Sequence, residues 1–134
     1  MNTHSLTYIS RDGFWKCVGK LPNAHEQTIY SVHCAPSIAG HGRIVSCGGD
    51  DRINVYREVT GGSTTKDASM TDDDDDGGAG GFGRTDAPQF ALDASVGNAH
   101  DGDVNCVRWH PTDGKKLVSV GDDGLIKIWR YTMT

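Results

Sequence analysis

The chain has 134 residues, of which 36% are hydrophobic, and carries a formal net charge of −5. Five of its 18 acidic residues lie in one run, 72–76, and the remaining acids balance the 13 lysines and arginines, so the charge gives no indication of a basic nucleic-acid-binding surface. No apolar stretch reaches the length of a membrane span and the N-terminal residues lack a signal-peptide pattern, which predicts a cytoplasmic or nuclear protein without membrane partners.

The first part of the chain contains a lead-in and one group of predicted strands. Residues 1–13 show no periodicity and predict a flexible segment. Residues 14–21 (FWKCVGKL) predict the outer strand of a unit whose other strands are absent. Three apolar runs separated by turn residues follow within 24–57, which is typical of an antiparallel meander. We therefore assign 14–57 to an outer strand and one three-strand unit.

Residues 58–87 have a different composition, rich in Gly, Ser, Thr and Asp, with almost no side chain to bury. Such a segment cannot offset the entropy lost on ordering, so we predict a disordered acidic insertion between two strands. Its aspartate run resembles the opening of an EF-hand calcium loop. The twelfth position is Gly83 rather than Glu, and no flanking helix is predicted, so we predict no calcium site.

Residues 88–134 repeat the strand pattern, with an outer strand predicted at 89–92 and three further strands within 99–130. The landmarks fall in the same order, as shown by the matching pairs Ala24 and Ala99, His25 and His100, Pro36 and Pro111, and Ser46 and Ser119. A repeated unit of short strands joined by turns predicts an all-β fold.

The cysteines lie inside apolar runs without any C-x-x-C spacing: Cys17, Cys34, Cys47 and Cys106. We interpret them as buried core residues rather than metal or cluster ligands, and we expect no metal and no cofactor. A Ser, a His and an Asp recur in both units, and a hydrolase or metal-binding enzyme is the alternative that they raise. Repetition of the set, without a G-x-S-x-G elbow, favours a structural role in a protein that is not an enzyme.

The repeated unit, with a small residue and His at its start and Trp129 near its end, resembles the WD40 repeat, one four-stranded blade of a β-propeller. The resemblance implies a propeller fragment of about two four-stranded antiparallel blades, the second lacking its outer strand. It also implies one hydrogen-bonded network per unit, formed by His25, Ser46, Asp50 and Tyr56 and by His100, Ser119, Asp123 and Trp129. The sequence departs from the family pattern at Tyr56, which lacks an indole N–H, and at Arg130, where Asp is usual.

Three shorter segments narrow the resemblance. Residues 15–17 (WKC), 28–30 (TIY) and 103–107 (DVNCV) are similar to the last two repeats of the WD40 subunits of the cytosolic iron–sulfur protein assembly (CIA) targeting complex. This similarity implies a non-catalytic scaffold that helps to target clusters to client apoproteins. Its partners would be the other subunits of that complex and the client proteins. A generic WD40 protein-interaction adaptor in another pathway is the alternative.

The family resemblance also places candidate partner-binding residues at one end of the strands. They are Thr28, Tyr30, Asp103, Asn105 and Asp122. Two blades leave strand edges and apolar faces open, which predicts that the fragment self-associates.

Overall fold

The computed structural model describes residues 5–9, 13, 15–36, 42–59 and 89–132, and these residues form strands, turns and loops without a helix. The nine strands are β1 (Ser5–Ile9), β2 (Trp15–Lys20), β3 (Ile29–Cys34), β4 (Arg43–Gly48), β5 (Ile53–Val59), β6 (Gln89–Val96), β7 (Val104–Trp109), β8 (Lys116–Gly121) and β9 (Ile126–Arg130). Within the described ranges, no helix is long and apolar enough to cross a membrane.

Seven of the strands form two antiparallel sheets that correspond to the two predicted units. One sheet has the order β3-β4-β5-β6 and the other the order β7-β8-β9. Their strands are rich in β-branched and aromatic residues, which suit a pleated surface with buried faces. The predicted all-β fold of two blades is confirmed, and the described part of the second blade lacks a fourth strand.

The prediction of a flexible lead-in is wrong for Ser5–Ile9, which forms β1 and pairs antiparallel with β2. A five-residue sequence is too short to reveal a clear alternation. Its backbone groups nevertheless find partners in β2, and that pairing stabilises the strand. The predicted outer strand 14–21, observed as β2, therefore has a neighbour within the chain.

The predicted insertion 58–87 begins inside a strand, because β5 continues to Val59 and pairs there with Gln89 at the start of β6. β6 then extends to Val96, beyond the predicted 89–92. The longer pairing satisfies additional backbone groups. Residues 60–88 lie outside the described part of the chain, so their predicted disorder stays a prediction.

The largest apolar cluster lies between the two sheets. It contains Val45, Cys47, Ile53 and Val55 from the first sheet, Val104, Val107, Trp109 and Leu117 from the second, and Ala99 and Tyr131 from flanking segments. Every member is at most 6% exposed. Full burial of a Val, Leu or Ile side chain stabilises a fold by about 1.5–3 kcal/mol. Burial of this cluster is therefore the main contribution to the stability of the contact between the two sheets.

A smaller cluster covers the opposite face of the first sheet. Ile44 and Tyr56 are buried there together with Leu21, and Phe90 and Leu92 pack against them. The first sheet is therefore buried on both faces. The second sheet is buried on the face that meets the first sheet, while its other face carries exposed isoleucines.

The cysteines differ in burial. Cys47 is buried, and burial raises the pKa of its thiol to about 12. The prediction of buried cysteines is wrong for Cys17 and Cys34, which are exposed. Both lie on strands at a sheet edge, where one side of the strand has no neighbour. Cys106 is intermediate in exposure.

Candidate functional site: two polar networks and the surface beside them

Four side chains of the second unit form a continuous hydrogen-bonded network. Asp123 Oδ1 lies 2.8 Å from His100 Nδ1, and His100 Nε2 lies 2.7 Å from Ser119 Oγ. Trp129 Nε1 donates to Ser119 Oγ over 2.8 Å. Because an ionised carboxylate only accepts, His100 donates from Nδ1, and its Nε2 accepts the Ser119 hydroxyl proton. The network thus ties the loop before β7 to strands β8 and β9.

Asp123 is the charged end of this network. Its Oδ2 accepts the Asp101 amide and its Oδ1 accepts the Leu125 amide, each over 3.0 Å. Burial acts to raise the pKa of this carboxyl, but the bonds from His100 and the two amides outweigh that effect and lower its pKa to about 2. Asp123 is therefore ionised at neutral pH and orients the His100 ring.

The first unit contains the same His, Ser and Asp in the same arrangement. Asp50 Oδ1 lies 2.7 Å from His25 Nδ1, and His25 Nε2 lies 2.8 Å from Ser46 Oγ. Burial acts to raise the pKa of Asp50, while the bonds from His25 and from the Glu26 and Arg52 amides lower it overall. The His–Asp pair is thus built in the same way in both units.

Tyr56 occupies in the first unit the register position that Trp129 occupies in the second. Its hydroxyl accepts from Asn54 Nδ2 over 3.3 Å. Burial raises the pKa of this hydroxyl, and hydrogen bonds with Asn54 and Ser46 act against the rise. The phenol therefore bonds with Ser46, the counterpart of the Ser119 that the indole bonds in the second unit, and Asn54 is an additional partner.

Two further residues support the networks and were missed by sequence reasoning. Asn54 on β5 and Lys127 on β9 stand at matching register positions. Asn54 donates to the Ala24 carbonyl, and Lys127 donates to the Ala99 carbonyl over 2.8 Å. Each carbonyl belongs to the residue just before a network histidine, so each contact holds that histidine in place. The available signal was one polar residue inside each apolar run.

The histidines and serines of the two networks are buried and bonded to one another. The two histidines and two serines are at most 4% exposed, and both ring nitrogens of each histidine face a partner. A serine nucleophile needs an open approach for its substrate and an available base. Neither serine has such an approach. Among the described residues, no group of three or more His, Cys, Asp or Glu side chains could hold a metal ion.

The candidate partner-binding residues lie at one end of the two sheets. Tyr30 donates to Asp103 Oδ2 over 2.9 Å, and this bond joins the two units. Asn105 Nδ2 donates to Asp122 Oδ1 over 2.7 Å. Thr28 is exposed, and its backbone carbonyl accepts an amide from the turn after β4. The structure therefore brings four of the five side chains together as two pairs, with Thr28 outside these bonds.

Tyr30 combines a hydrogen bond with substantial exposure, since 48% of the residue is accessible. The bond to Asp103 is the largest cause that raises the pKa of its hydroxyl, and the charge of Asp122 adds to the rise. Two carboxylates therefore make this surface locally negative.

Several polar contacts between the sheets also escaped sequence reasoning. Arg108 Nη1 donates to Ser31 Oγ over 2.9 Å, and the Trp109 amide donates to His33 Nδ1 over 2.9 Å. Burial and the Arg108 charge lower the pKa of His33, which favours the neutral ring that can accept this bond. Together with the bond from Tyr30, these contacts fix the orientation of β3 against β7.

Consecutive antiparallel sheets, packed face against face and each held by the same internal network, define blades of a repeat-built β-propeller. The family model of the WD40 repeat, described as WD domain, G-beta repeat, matches residues 15–57 and 94–130. The chain therefore belongs to the WD40 repeat family.

Curated relatives of the chain share the name cytosolic iron-sulfur protein assembly protein. It is 35% identical over 118 residues to a probable cytosolic iron-sulfur protein assembly protein CIAO1 homolog of Nematostella vectensis, covering 88% of this chain and 29% of the relative. It is 34% identical over 120 residues to the probable cytosolic iron-sulfur protein assembly protein ciao1-B of Salmo salar, covering 90% and 29%. The Bos taurus protein named CIAO1 is 31% identical over 130 residues, covering 97% and 31%. The chain thus spans about three tenths of the length of these relatives.

Proposed function

We propose that this chain acts as a non-catalytic WD40 scaffold in cytosolic iron–sulfur protein assembly and that it works in the cytoplasm. The relatives carry that process in their names, and the similarity to them extends over most of this chain. Because the chain spans about three tenths of their length, its contribution is that of the blades it contains.

The observation that carries the scaffold function is the surface shared by the two blades. The bond from Tyr30 to Asp103 connects side chains of both units, and Asn105 with Asp122 extends the surface. Tyrosine offers contact area and a hydrogen-bonding group and is enriched in binding hot spots. The buried networks are satisfied internally and support the strands that position this surface.

The charge of the surface indicates the chemistry of the partner. Two carboxylates, Asp103 and Asp122, favour a segment that presents Lys, Arg or backbone N–H groups. We infer that this partner is another subunit of the CIA targeting complex or a client apoprotein, and that nucleic acid and membrane are not ligands. In this proposal 14–57 and 88–134 supply the binding blades, and the insertion 58–87 is dispensable for binding.

Affinity capture from a cytosolic extract tests the proposal. The tagged wild-type chain should retain subunits of the iron–sulfur targeting complex, identified by mass spectrometry. The double variant Tyr30→Ala/Asp103→Ala should retain at least about tenfold less, as expected for loss of a hot spot. Arg57→Ala is the control, because Arg57 lies far along β5, 60% exposed in its side chain and paired with Asp93.

Three outcomes of that capture separate the possibilities. Partners from an unrelated pathway would favour the generic WD40 adaptor. Capture of the targeting-complex subunits that is equal for wild type and double variant would show that another surface binds them. Capture of no protein by the wild-type chain would contradict the scaffold function itself.

Metal and thiol analysis of the purified protein tests the enzyme alternative. A scaffold should contain four titratable thiols and no stoichiometric iron or zinc. Stoichiometric metal with fewer reactive thiols would indicate a cysteine-ligated site and contradict the non-catalytic assignment.

A further inference from the structure

Three side-chain oxygens from the two blades converge above Gly49, in the turn after β4. A Cβ at Gly49 would lie 3.2 Å from Tyr30 Oη. The same Cβ would lie 3.5 Å from both Asp103 Oδ2 and Gln27 Oε1. Gly49 is buried while Gln27 and Tyr30 are exposed, so the three oxygens lie between the glycine and the solvent. We call the side chains of Gln27, Tyr30 and Asp103 the oxygen cap.

The second blade shows that this convergence depends on the glycine. Gly49 and Asp122 occupy the same place in the repeat, immediately before the network aspartate of each blade. Asp122 fills that place with its own carboxylate, which accepts a bond from Asn105 over 2.7 Å. The first blade has no side chain there, and Tyr30 donates instead to Asp103 of the other blade. Glycine at this place therefore lets oxygens of both blades come together.

The oxygen cap offers hydrogen-bond acceptors next to negative charge. Tyr30 spends its proton on Asp103, which leaves the lone pairs of the phenol oxygen available. The bond to Asp103 and the charge of Asp122 raise the pKa of the Tyr30 hydroxyl, so both carboxylates act on this place. Among the described residues, no Lys, Arg or His forms an ion pair with Asp103 or Asp122. A cation supplied by another molecule therefore complements the cap.

The number and arrangement of the acceptors favour an ammonium group as that cation. A lysine side chain carries three N–H donors on one nitrogen, and the cap presents three acceptor oxygens around one point. Arginine spreads its donors over a planar fork, which suits the two oxygens of a single carboxylate. A divalent metal ion would find only one carboxylate and two neutral oxygens in the cap, which is a poor set of ligands for it.

We propose that the oxygen cap binds the side-chain ammonium of a lysine in the partner protein, with Gln27 Oε1, Tyr30 Oη and Asp103 Oδ2 each accepting one N–H bond. This proposal rests on the scaffold function and specifies the chemical group that the shared surface recognises. It adds Gln27 to the binding surface, because the Gln27 oxygen completes the set of three acceptors. Since the oxygens come from both blades, the packing of one blade on the other assembles the site.

Titration of the ¹⁵N-labelled chain with n-butylammonium chloride, followed by NMR, tests the cap without any partner. The Gly49 backbone amide and the Gln27 side-chain amide should shift saturably, with a dissociation constant on the order of 10 mM. n-Butylguanidinium chloride at the same ionic strength is the matched probe for arginine. It should bind at least about threefold more weakly, because its planar fork cannot reach all three oxygens from one nitrogen. Equal affinity for the two probes would overturn the recognition of lysine.

Gln27→Met distinguishes the cap from a surface that is simply acidic. The substitution removes one neutral acceptor, keeps every carboxylate and alters the side-chain shape little. It should weaken the binding of n-butylammonium by about fivefold, as expected for the loss of one hydrogen bond to a charged group. Glu26→Gln is the matched control, because it removes a charge from the neighbouring exposed residue, and it should change the affinity by less than about twofold. Equal weakening by both variants would refute the three-acceptor site.

Affinity capture with the same two variants extends the test to the partner. Gln27→Met should retain about fivefold less of the targeting-complex subunits than the wild-type chain, and Glu26→Gln should retain as much as the wild type. Undiminished capture by Gln27→Met would show that the partner does not use the cap, which overturns the proposal and leaves the scaffold function standing. Selective binding of n-butylammonium without capture of any protein would support the ammonium site and contradict the scaffold function.

Discussion

The two blades use the same His, Ser and Asp but close their networks differently. In the second blade the network ends at Trp129, whose indole donates to Ser119. In the first blade Tyr56 stands in that place, and Asn54 lies 3.3 Å from its hydroxyl and 3.5 Å from His25 Nε2. The comparison teaches that the histidine core is the fixed part of the network. The aromatic corner can change when a neighbouring amide supplies further hydrogen bonds.

The blades also differ in what surrounds their networks. The first sheet is buried on both faces and its network is branched, so a lost partner has a substitute. The second network is linear in its side chains, and its sheet is buried on one face. We therefore expect the second blade to respond more strongly to damage in its network.

Filling the space beside the second network should have the largest effect. A Cβ at Gly121 would lie 2.6 Å from His100 Cγ and 2.8 Å from the Asp103 carbonyl oxygen. Gly121→Ala should lower the free energy of unfolding by about 2–4 kcal/mol, because overpacking displaces a network ring. Urea unfolding followed by tryptophan fluorescence measures this. Gly97→Ala, whose Cβ would meet only the Arg52 guanidinium at 3.7 Å, should change stability by less than about 0.5 kcal/mol. Equal effects would contradict this assignment.

Removing the histidine from each blade compares the networks directly. His100→Ala leaves the Ser119 hydroxyl without its acceptor and should cost about 1–3 kcal/mol of unfolding free energy. His25→Ala should cost less, because the Ser46 hydroxyl can donate to the Tyr56 oxygen, whereas the Trp129 indole offers Ser119 no acceptor. Both variants can be measured in one series of urea titrations. A larger loss for His25→Ala would show that the branched network gives no redundancy.

Acid should weaken both networks through their carboxyls. The pKa of Asp123 is lowered to about 2 and that of Asp50 is also lowered, whereas unfolded Asp titrates near pH 3.9. The unfolded state therefore binds protons first, and the stability contributed above pH 4 is lost as the pH falls toward about 2. Asp123→Asn should flatten this part of the stability profile. An unchanged slope in that variant would contradict the assigned pKa.

The smallest effect on stability is expected at the surface. Asp103→Ala should change the free energy of unfolding by less than about 0.5 kcal/mol, while Asp123→Ala should melt clearly earlier. Asp103→Ala should also lower the pKa of the Tyr30 hydroxyl, because the bond to Asp103 is the main cause that raises this pKa. Tyrosine absorbance during an alkaline titration reports that shift. Earlier melting of Asp103→Ala than of Asp123→Ala would reverse the assignment of network and surface.

The repeat made the blades predictable from sequence. Two copies with a histidine, a turn aspartate and an aromatic residue in the same order specify which strands pair, and the observed sheets follow that order. β1 could not be predicted, because the pairing of a five-residue strand depends on a neighbour rather than on its own pattern. The exposure of Cys17 and Cys34 depends on which strands become edges, which a local apolar run does not encode.

The candidate site was predictable in its residues and less so in its contacts. A polar residue inside an apolar run shows that a partner is needed but does not identify the carbonyl, as Asn54 and Lys127 illustrate. The bonds from Arg108 and Tyr30 cross between blades. They depend on the angle at which two sheets pack, and that angle is set by the whole interface between the sheets.

The pairing of Val59 with Gln89 has a practical consequence for engineering. It places Val59 and Gln89, the described residues on either side of 60–88, opposite each other, roughly 4.5–5.5 Å apart between Cα atoms. A polypeptide that leaves and re-enters a hairpin at such a spacing can be replaced by another of different length at little entropic cost, because loop-closure entropy grows only logarithmically with length. The β5–β6 hairpin is thus an acceptor position for a fluorescent domain or an affinity tag.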